Sequence, residues 1–482
     1  MKHPLFLLFA LVIALPTTRA GEPLEDLPKQ IGILVEYYEI EHAALPPLMR
    51  DYLVAPDASA FRKTVEEMAV KGAARMVESS YIVTRSGQRA KIESIREILY
   101  PTEYNPQEIH SPTGQTEGYT LPAAPVAFEM RPVGATVESE PIAQPDGATI
   151  QLSLAAELVT LQAFVHHGEG LAKTTHPIFA SMKASQRFKM KGGDCELFGV
   201  FTPDASHDRN GEGKRVLGFV SPLLLSAISL SDLAEFGKNP PSAPVETVEN
   251  VADVDPFNEP PAEDEAAGPF PPEGEVRMFT EYIEVDAPFG ARLIRELGEC
   301  SDATAIRHAL DKVIAKGEAK VLESASLQTS SGQRTKSEAI REYIYPTEQD
   351  RPAGIPQDFA GAKFAPTYIG SAFEMRPLGI TVEAEPHVGS NGKMIEINVA
   401  PEQVRHVRNL AHGQGAAACR QPLFETLQLQ TFLPMPDGTI TLLGMHSLET
   451  ARAGEAGTDE ERAAVRGRRV LVFVTAKVKK VE

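Results

Sequence analysis

Carboxylates at short spacing are the first residues in this chain that could do chemistry. Glu36/Glu39, Glu281/Glu284, Glu138/Glu140 and Glu383/Glu385 are paired acids of the sort that general acid–base catalysis uses. Such a pair works only where its surroundings drive the two pKa values apart. Residues two apart on a strand share a face, so a charged, solvated sheet face explains these acids equally well. The second candidate is a metal. His166-His167-Gly168-Glu169 and the set His406, His412, Cys419 carry ligand-type side chains. Zinc needs three or four ligands at definite spacings, and only His167-Gly168 and His412-Gly413 recur in register along the chain. A serine elbow, a phosphate-binding loop and a dinucleotide fingerprint are all missing from the sequence. The expectation is a non-enzymatic protein with no catalytic residue, cofactor or metal ligand.

The register that relates those histidines is a duplication. Phe128-Glu129-Met130-Arg131-Pro132-Val133-Gly134-Ala135-Thr136-Val137-Glu138-Ser139-Glu140-Pro141 returns as residues 373–386, 245 positions on, with eleven of fourteen residues identical. The chain therefore reads as two copies of one unit. The strand-type run Ile31–Ile40 maps on Val276–Val285, both rich in β-branched and aromatic residues. A helix follows, with Phe61, Val65, Met68, Ala69, Gly72 and Met76 on one stripe, matched by Ile306, Leu310, Val313, Ile314, Gly317 and Val321. Asp57 or Ser59, and Asp302, can cap its first turn. A glycine inside the helix of each copy predicts close packing on a neighbouring backbone.

Ser86-Gly87-Gln88-Arg89 and Ser331-Gly332-Gln333-Arg334 predict hairpin turns. In Ile95–Glu103 and Ile340–Glu348 the proline should end each strand at Tyr100 and Tyr345. A polar stretch of about two dozen residues follows in each copy, long enough to be functional or mobile. Gly134 and Gly379 predict a bulge, a kink or a close backbone approach. Turns at Pro145-Asp146-Gly147 and Ser390-Asn391-Gly392 lead to alternating strands carrying Ile150, Leu152, Leu154 and Ile395, Ile397, Val399. Late hairpins are expected at Gly192-Gly193-Asp194 and Pro436-Asp437-Gly438, before the final strands Val216–Val220 and Val470–Val474. The charged residues that both copies keep are Arg96/Glu97 with Arg341/Glu342, and Glu129/Arg131 with Glu374/Arg376. The plainer reading pairs them across a solvated sheet face at ~0.2–1 kcal/mol each. The alternative is an edge or subunit contact in which opposite charges set register.

Lys2 and His3, the apolar run Leu5–Leu15 and Thr18-Arg19-Ala20 have the pattern of a signal peptide over 1–20. The run is too short for a spanning helix, which needs ~20 residues. Residues 239–275 are acidic and Pro-rich and read as a disordered linker between units at 22–238 and 276–482. A net charge of −19 argues against nucleic acid as a partner. Three cysteines are too few for a disulfide framework, although Cys300 and Cys419 could pair within one copy.

The order of blocks resembles the C-terminal domain of the bacterial secretins of type II and type III secretion and type IV pili. The residues that carry it are the first strands, the Glu78-Ser79 and Glu323-Ser324 strands, and the Ser-Gly-Gln-Arg turns. The Gly134 and Gly379 blocks ending in Glu-x-Glu-Pro, and the late hairpin before Leu471–Thr475, complete it. The polar slots Phe201–Lys214 and Ser447–Arg468 lack that family's Pro- and Gly-rich membrane signature, and the chain contains no tryptophan for an aromatic girdle. The resemblance implies an α+β, predominantly antiparallel β fold: two tandem units, each with one main helix packed on its sheet. It implies an exported protein of the periplasm or outer membrane of a Gram-negative-type bacterium. Its partners would be proteins, by self-assembly or with other envelope components, and any membrane contact would be through strands only. The second reading is a soluble periplasmic scaffold whose two units pair with each other and satisfy their own strand edges. In either case Gly87, Arg96, Glu97, Arg131, Gly134, Gly332, Arg341, Glu342, Arg376 and Gly379 are structural marks of the repeat.

Overall fold

The computed structural model describes residues 30–106, 108–110, 119–202, 213–225, 274–297, 300–350, 369–389, 392–447 and 468–479. The expected signal peptide and nearly all of the expected linker lie outside the described residues. So do Ser390-Asn391, most of the two polar slots and much of the long polar stretches after Glu103 and Glu348.

The first copy runs β1 (Gln30–Glu41), α1 (Leu45–Tyr52), α2 (Ser59–Val70), β2 (Ala74–Arg85), β3 (Ala90–Asn105), β4 (Glu108–His110) and β5 (Tyr119–Leu121). It continues through β6 (Ala124–Ala143), β7 (Thr149–His167), β8 (Thr174–Lys191), β9 (Glu196–Phe201) and β10 (Lys214–Leu225). The second copy repeats the order: β11 (Glu275–Asp286), α3 (Ala287–Leu297), α4 (Thr304–Ala315), β12 (Lys320–Ser330), β13 (Thr335–Asp350) and β14 (Ile369–Val388). It ends with β15 (Met394–His412), β16 (Cys419–Pro436), β17 (Ile440–Ser447) and β18 (Arg468–Lys479). The fold is mostly antiparallel β with few helices, as expected. A short helix precedes the expected one in each copy. In α1 this is Pro46-Pro47 starting a helix, where a missing N–H costs nothing.

Each copy gives four strands to each of two eight-stranded antiparallel sheets. The first sheet has the order β12-β11-β18-β17-β2-β1-β10-β9, the second β13-β14-β15-β16-β3-β6-β7-β8. The sheets pack face to face, and β1 shows why its sequence is apolar almost throughout. Ile31, Ile33, Val35 and Tyr37 face the inter-sheet core with Ile92, Val137 and Leu152. Tyr38 and Ile40 face the other way, against Phe61 and Val65 of α2. In the second copy, Ile283 and Val285 pack similarly on Leu293, Ile306 and Leu310. Beyond the sandwich the second sheet is longer, and it rolls until Glu348 of β13 meets Ala127 of β6.

Several local expectations are corrected. Gly72 and Gly317 lie outside their helices at φ +75°, with open space where a Cβ would sit. They terminate α2 and α4. The Gly72 N–H donates to Ala69 O (3.1 Å) and the Ala73 N–H to Met68 O (2.8 Å), the bonding of a left-handed C-terminal cap. Met76 and Val321 accordingly belong to β2 and β12. Asp57 and Asp302 do accept first-turn N–H groups, from Ser59 (3.0 Å) and Thr304 (2.9 Å).

The Ser-Gly turns and the late glycine turns are not hairpins. They carry the chain from one sheet to the other, because β2 and β9 belong to the first sheet and β3 and β8 to the second. Pro101 and Pro346 do not end their strands, since β3 and β13 bulge there and continue. A bulge accepts a residue that cannot donate to the ladder. The Pro145-Asp146-Gly147 hairpin forms as expected, with the Asp146 carboxylate accepting the Thr149 N–H (2.8 Å). Cys195, Cys300 and Cys419 are buried free thiols, so the Cys300–Cys419 bond is not made.

Candidate functional site

The feature with most potential for function is the seam where the copies meet. β16 of the second copy pairs with β3 of the first from Leu423↔Ile98 to Gln430↔Lys91. In the other sheet β17 meets β2 at Gly444↔Ile82 and Met445↔Tyr81. Both seams place a strand of the second copy beside one of the first.

Arg96 and Glu97 lie on β3 near the Ile98 end of this pairing, and both are buried. Arg96 donates to the Glu425 carboxylate (Nη2 to Oε2, 3.2 Å), which Arg405 engages from its other side. Arg376 donates through Nε to Glu97 Oε2 (3.0 Å) and through Nη2 to Thr426 Oγ1 (2.9 Å). The Thr426 hydroxyl in turn donates to Glu97 Oε1 (3.0 Å). Burial raises the Glu425 carboxyl, but Arg405 and Arg96 outweigh it and leave the group below its ordinary value. A desolvated network of this kind adds little net stability over an apolar contact, but it penalises any other register heavily. The solvated-face reading is therefore wrong for Arg96, Glu97 and Arg376; theirs is the edge contact, made within one chain.

Around the charges, Leu99 packs with Tyr345, Leu378, Val404 and Phe424 of the second copy. Phe128 meets the His412 ring edge-on at 5.6 Å. His446 sits fully buried with Nδ1 3.1 Å from Ser94 Oγ, and burial lowers its pKa to about 3.

The remaining repeat marks stay within their own copies. The Gly87 and Gly332 N–H groups each donate to the carbonyl of the proline that ends the long motif, Pro141 and Pro386, at 2.7 Å. Gly134 and Gly379 pass so close to the next strand that a Cβ would lie 2.1 Å from Ser94 O and 2.0 Å from Ala339 O. That is the close backbone approach the sequence predicted. Arg131 donates to Ser181 Oγ (3.1 Å), while Arg341 and Glu342 stand exposed on β13.

The paired acids are all engaged. Arg89 bridges Glu138 (3.2 Å) and Glu140 (3.8 Å), and Arg334 bridges Glu383 (2.9 Å) and Glu385 (3.9 Å). The first pair walls a cleft of about 390 Å³ that Ser153, Ser185 and Arg187 also line. Glu36 and Glu281 are buried rather than solvated, each held by an arginine of the overlying helix: Arg62 Nη2 at 2.9 Å and Arg307 Nη2 at 2.6 Å. Glu39 pairs with Lys214 (2.8 Å) and Glu284 with Arg468. Among the described residues no three His, Cys, Asp or Glu side chains converge as a metal site would require.

The sequence reading missed Arg62/Arg307, although both stand 245 residues apart like the other marks. It also missed Glu425, Arg405 and His446. Their counterparts in the first copy are Ala180, Thr160 and Phe201, so comparing the copies conceals them.

No family model and no curated protein sequence matches this chain. Among solved structures, it is similar to a chain of the outer membrane complex of the Klebsiella pneumoniae type II secretion system. The TM-score is 0.22 at 10% identity, over 44% of this chain and 43% of that one. A type II secretin of enteropathogenic Escherichia coli gives 0.20 at 12% identity, over 44% and 74%. The type IV competence pilus secretin of Vibrio cholerae gives 0.19 at 9% identity, over 95% and 63%. The chain thus spans under half the length of the Klebsiella chain. These likenesses to secretins are weak.

Proposed function

We propose that this protein is a non-enzymatic structural component of the bacterial cell envelope. It binds other proteins through the edges of its two sheets, as a divergent secretin-like part of a secretion or pilus system. One observation carries the reading: the copies join strand to strand in both sheets, and the equivalents of the joined edges lie at the sheet ends, where β13 meets a further strand only at Glu348, opposite Ala127 of β6, among the described residues. A strand edge with open backbone groups is a template for another strand, and the sheets end in β12 and β13 on one side and in β9 and β8 on the other. The partners are proteins, whether further copies or other envelope components. The charge of −19 disfavours nucleic acid, and the signal-like start supports export to the periplasm or outer membrane. No helix among the described residues is long and apolar enough to cross a membrane, so insertion would have to use strands.

A soluble periplasmic scaffold is the second reading. It is favoured by the in-chain seam, which already satisfies one edge of each copy in each sheet. Membrane fractionation of the mature protein, followed by its particle mass in plain buffer and in detergent, separates the two. Assemblies that need detergent for extraction support the envelope component. A monodisperse monomer in plain buffer refutes it and leaves the scaffold.

A further inference from the structure

Duplication supplies a comparison for the cleft of about 390 Å³ on the outer face of the second sheet. One wall is the same in both copies: Arg89 holds Glu138 and Glu140 as Arg334 holds Glu383 and Glu385. The rest differs. Leu152 and Leu154 turn into the core, so Ser153 and Ala155 face outward, because side chains alternate along a strand. Glu138, Ala155 and Ser185 are then successive cross-strand neighbours, and so are Glu140, Ser153 and Arg187. In the second copy the places of Ser153, Ser185 and Arg187 carry Asn398, Gln430 and Phe432. Asn398 is 7% exposed and Phe432 6%. The Arg85 guanidinium lies 5.5 Å from the Phe432 ring centre while it holds Glu396 (2.8 Å). The second copy thus fills this place with its own side chains. In the first copy, two hydroxyls and a charge stand where the amides and the aromatic ring would be, and a hollow remains between groups of opposite sign.

The two sides of the hollow do not neutralise each other. Arg89 draws both acids toward β3, and Arg187 is exposed with no hydrogen bond or ion pair among the described residues. Neighbouring strands lie ~4.8 Å apart, so β6 and β8 hold the backbones of Glu140 and Arg187 roughly 10 Å apart. A ligand that closes this gap must bring a cation to the acids and an anion to Arg187, whose planar fork matches a carboxylate. Between them the Ser153 and Ser185 hydroxyls can donate or accept.

We propose that the cleft binds a small zwitterion of the α-amino acid or dipeptide class. Its ammonium sits at Glu138 and Glu140 and its carboxylate at Arg187. The volume of about 390 Å³ lies at the lower end of the range for small-ligand sites and suits a molecule of dipeptide size. The site opens on the sheet face, apart from the strand edges, so it stands or falls independently of the envelope role.

Ligand-observed NMR titration of the full chain with alanyl-alanine tests this. N-acetyl-alanyl-alanine lacks the ammonium and alanyl-alanine amide lacks the carboxylate. Each should bind about tenfold more weakly than the free dipeptide, the loss of one charge-assisted contact. Arg187→Ala should weaken the free dipeptide by the same factor and remove its advantage over the amide. Ser185→Gln combined with Arg187→Phe, the residues that the second copy carries, should abolish binding, whereas Arg334→Ala on the second copy leaves it unchanged. These positions are exposed, and urea midpoints equal to the wild type confirm that each variant is folded. A wild-type chain that binds no dipeptide overturns the proposal. So do capped dipeptides that bind as tightly as the free one, and binding that survives Ser185→Gln with Arg187→Phe.

Discussion

Replacing Glu425 by glutamine removes the one negative charge that two arginines share in the seam. The carboxylate is buried, it meets Arg96 at 3.2 Å, and Arg405 reaches its other oxygen. Removing one partner of a buried ion pair costs about 3–5 kcal/mol, because the other charge stays desolvated without compensation. Glu425→Gln is therefore expected to lower the unfolding free energy by about 3 kcal/mol or more in urea, with the m-value unchanged. Arg96→Met combined with Glu425→Leu should recover part of the loss, since it replaces the fully buried pair by apolar groups and leaves only the partly exposed Arg405 without its carboxylate. The counterpart variant Arg341→Ala should change stability by no more than ~0.5 kcal/mol, as an exposed surface substitution. The pH dependence has a definite sign. The folded-state pKa of Glu425 lies below its unfolded value, so its contribution is present above the unfolded pKa and lost as pH falls through the folded one. Measurements at low protein concentration keep association from masking the effect. A Glu425→Gln cost under ~1 kcal/mol, or a double variant as unstable as the single, would refute the reasoning.

Other predictions follow from the same geometry. Gly134→Ala must clash with Ser94 O as well as strain a φ of +136°, whereas Gly72→Ala meets only a strained φ in open space. Gly72→Ala should cost ~1–2 kcal/mol and Gly134→Ala clearly more, read from urea midpoints. Arg62→Ala, which leaves Glu36 buried and unpaired, should cost about 3 kcal/mol, and Arg307→Ala should cost a similar amount in the second copy. His446, surrounded by Ser94, Glu425 and the Glu93 backbone, stays neutral when folded, with a pKa of about 3. The unfolded chain therefore binds the extra proton, and stability falls as pH drops from about 6.5 toward 3. His446→Phe, the residue that the first copy carries there, should flatten the slope between pH 6.5 and 5; an unchanged slope refutes the assignment. The three buried thiols should resist alkylation in the folded protein and all react in urea, with no disulfide found by mass spectrometry.

Repetition made much of this fold legible. A shift of 245 residues aligned the major strands up to the last, which is offset by 254 (Val216 to Val470), and the alternation of Ile150, Leu152 and Leu154 identified an inward face that is indeed buried. What repetition could not show is which strand pairs with which. Ser86-Gly87 has the chemistry of a hairpin turn, and the same chemistry serves to cross between layers. Gly72 fits a helical stripe by spacing, but its φ of +75° makes it a terminator. The seam was hidden for a deeper reason. Arg96 and Arg341 look equivalent in sequence, and only their neighbours distinguish them: one faces Glu425 and the other stands at an open edge. Position in the sheet, which no local pattern encodes, decides whether the pair is a buried lock or an exposed surface.

The central claim is that the two copies form one body through sheets they share. Introducing a specific protease site between residues 239 and 273, cutting the folded protein and measuring its particle mass in native buffer tests that most directly. The account predicts that both fragments stay together at the mass of the uncut chain and separate only in denaturant. Fragments that part in native buffer, each folded alone, would contradict it.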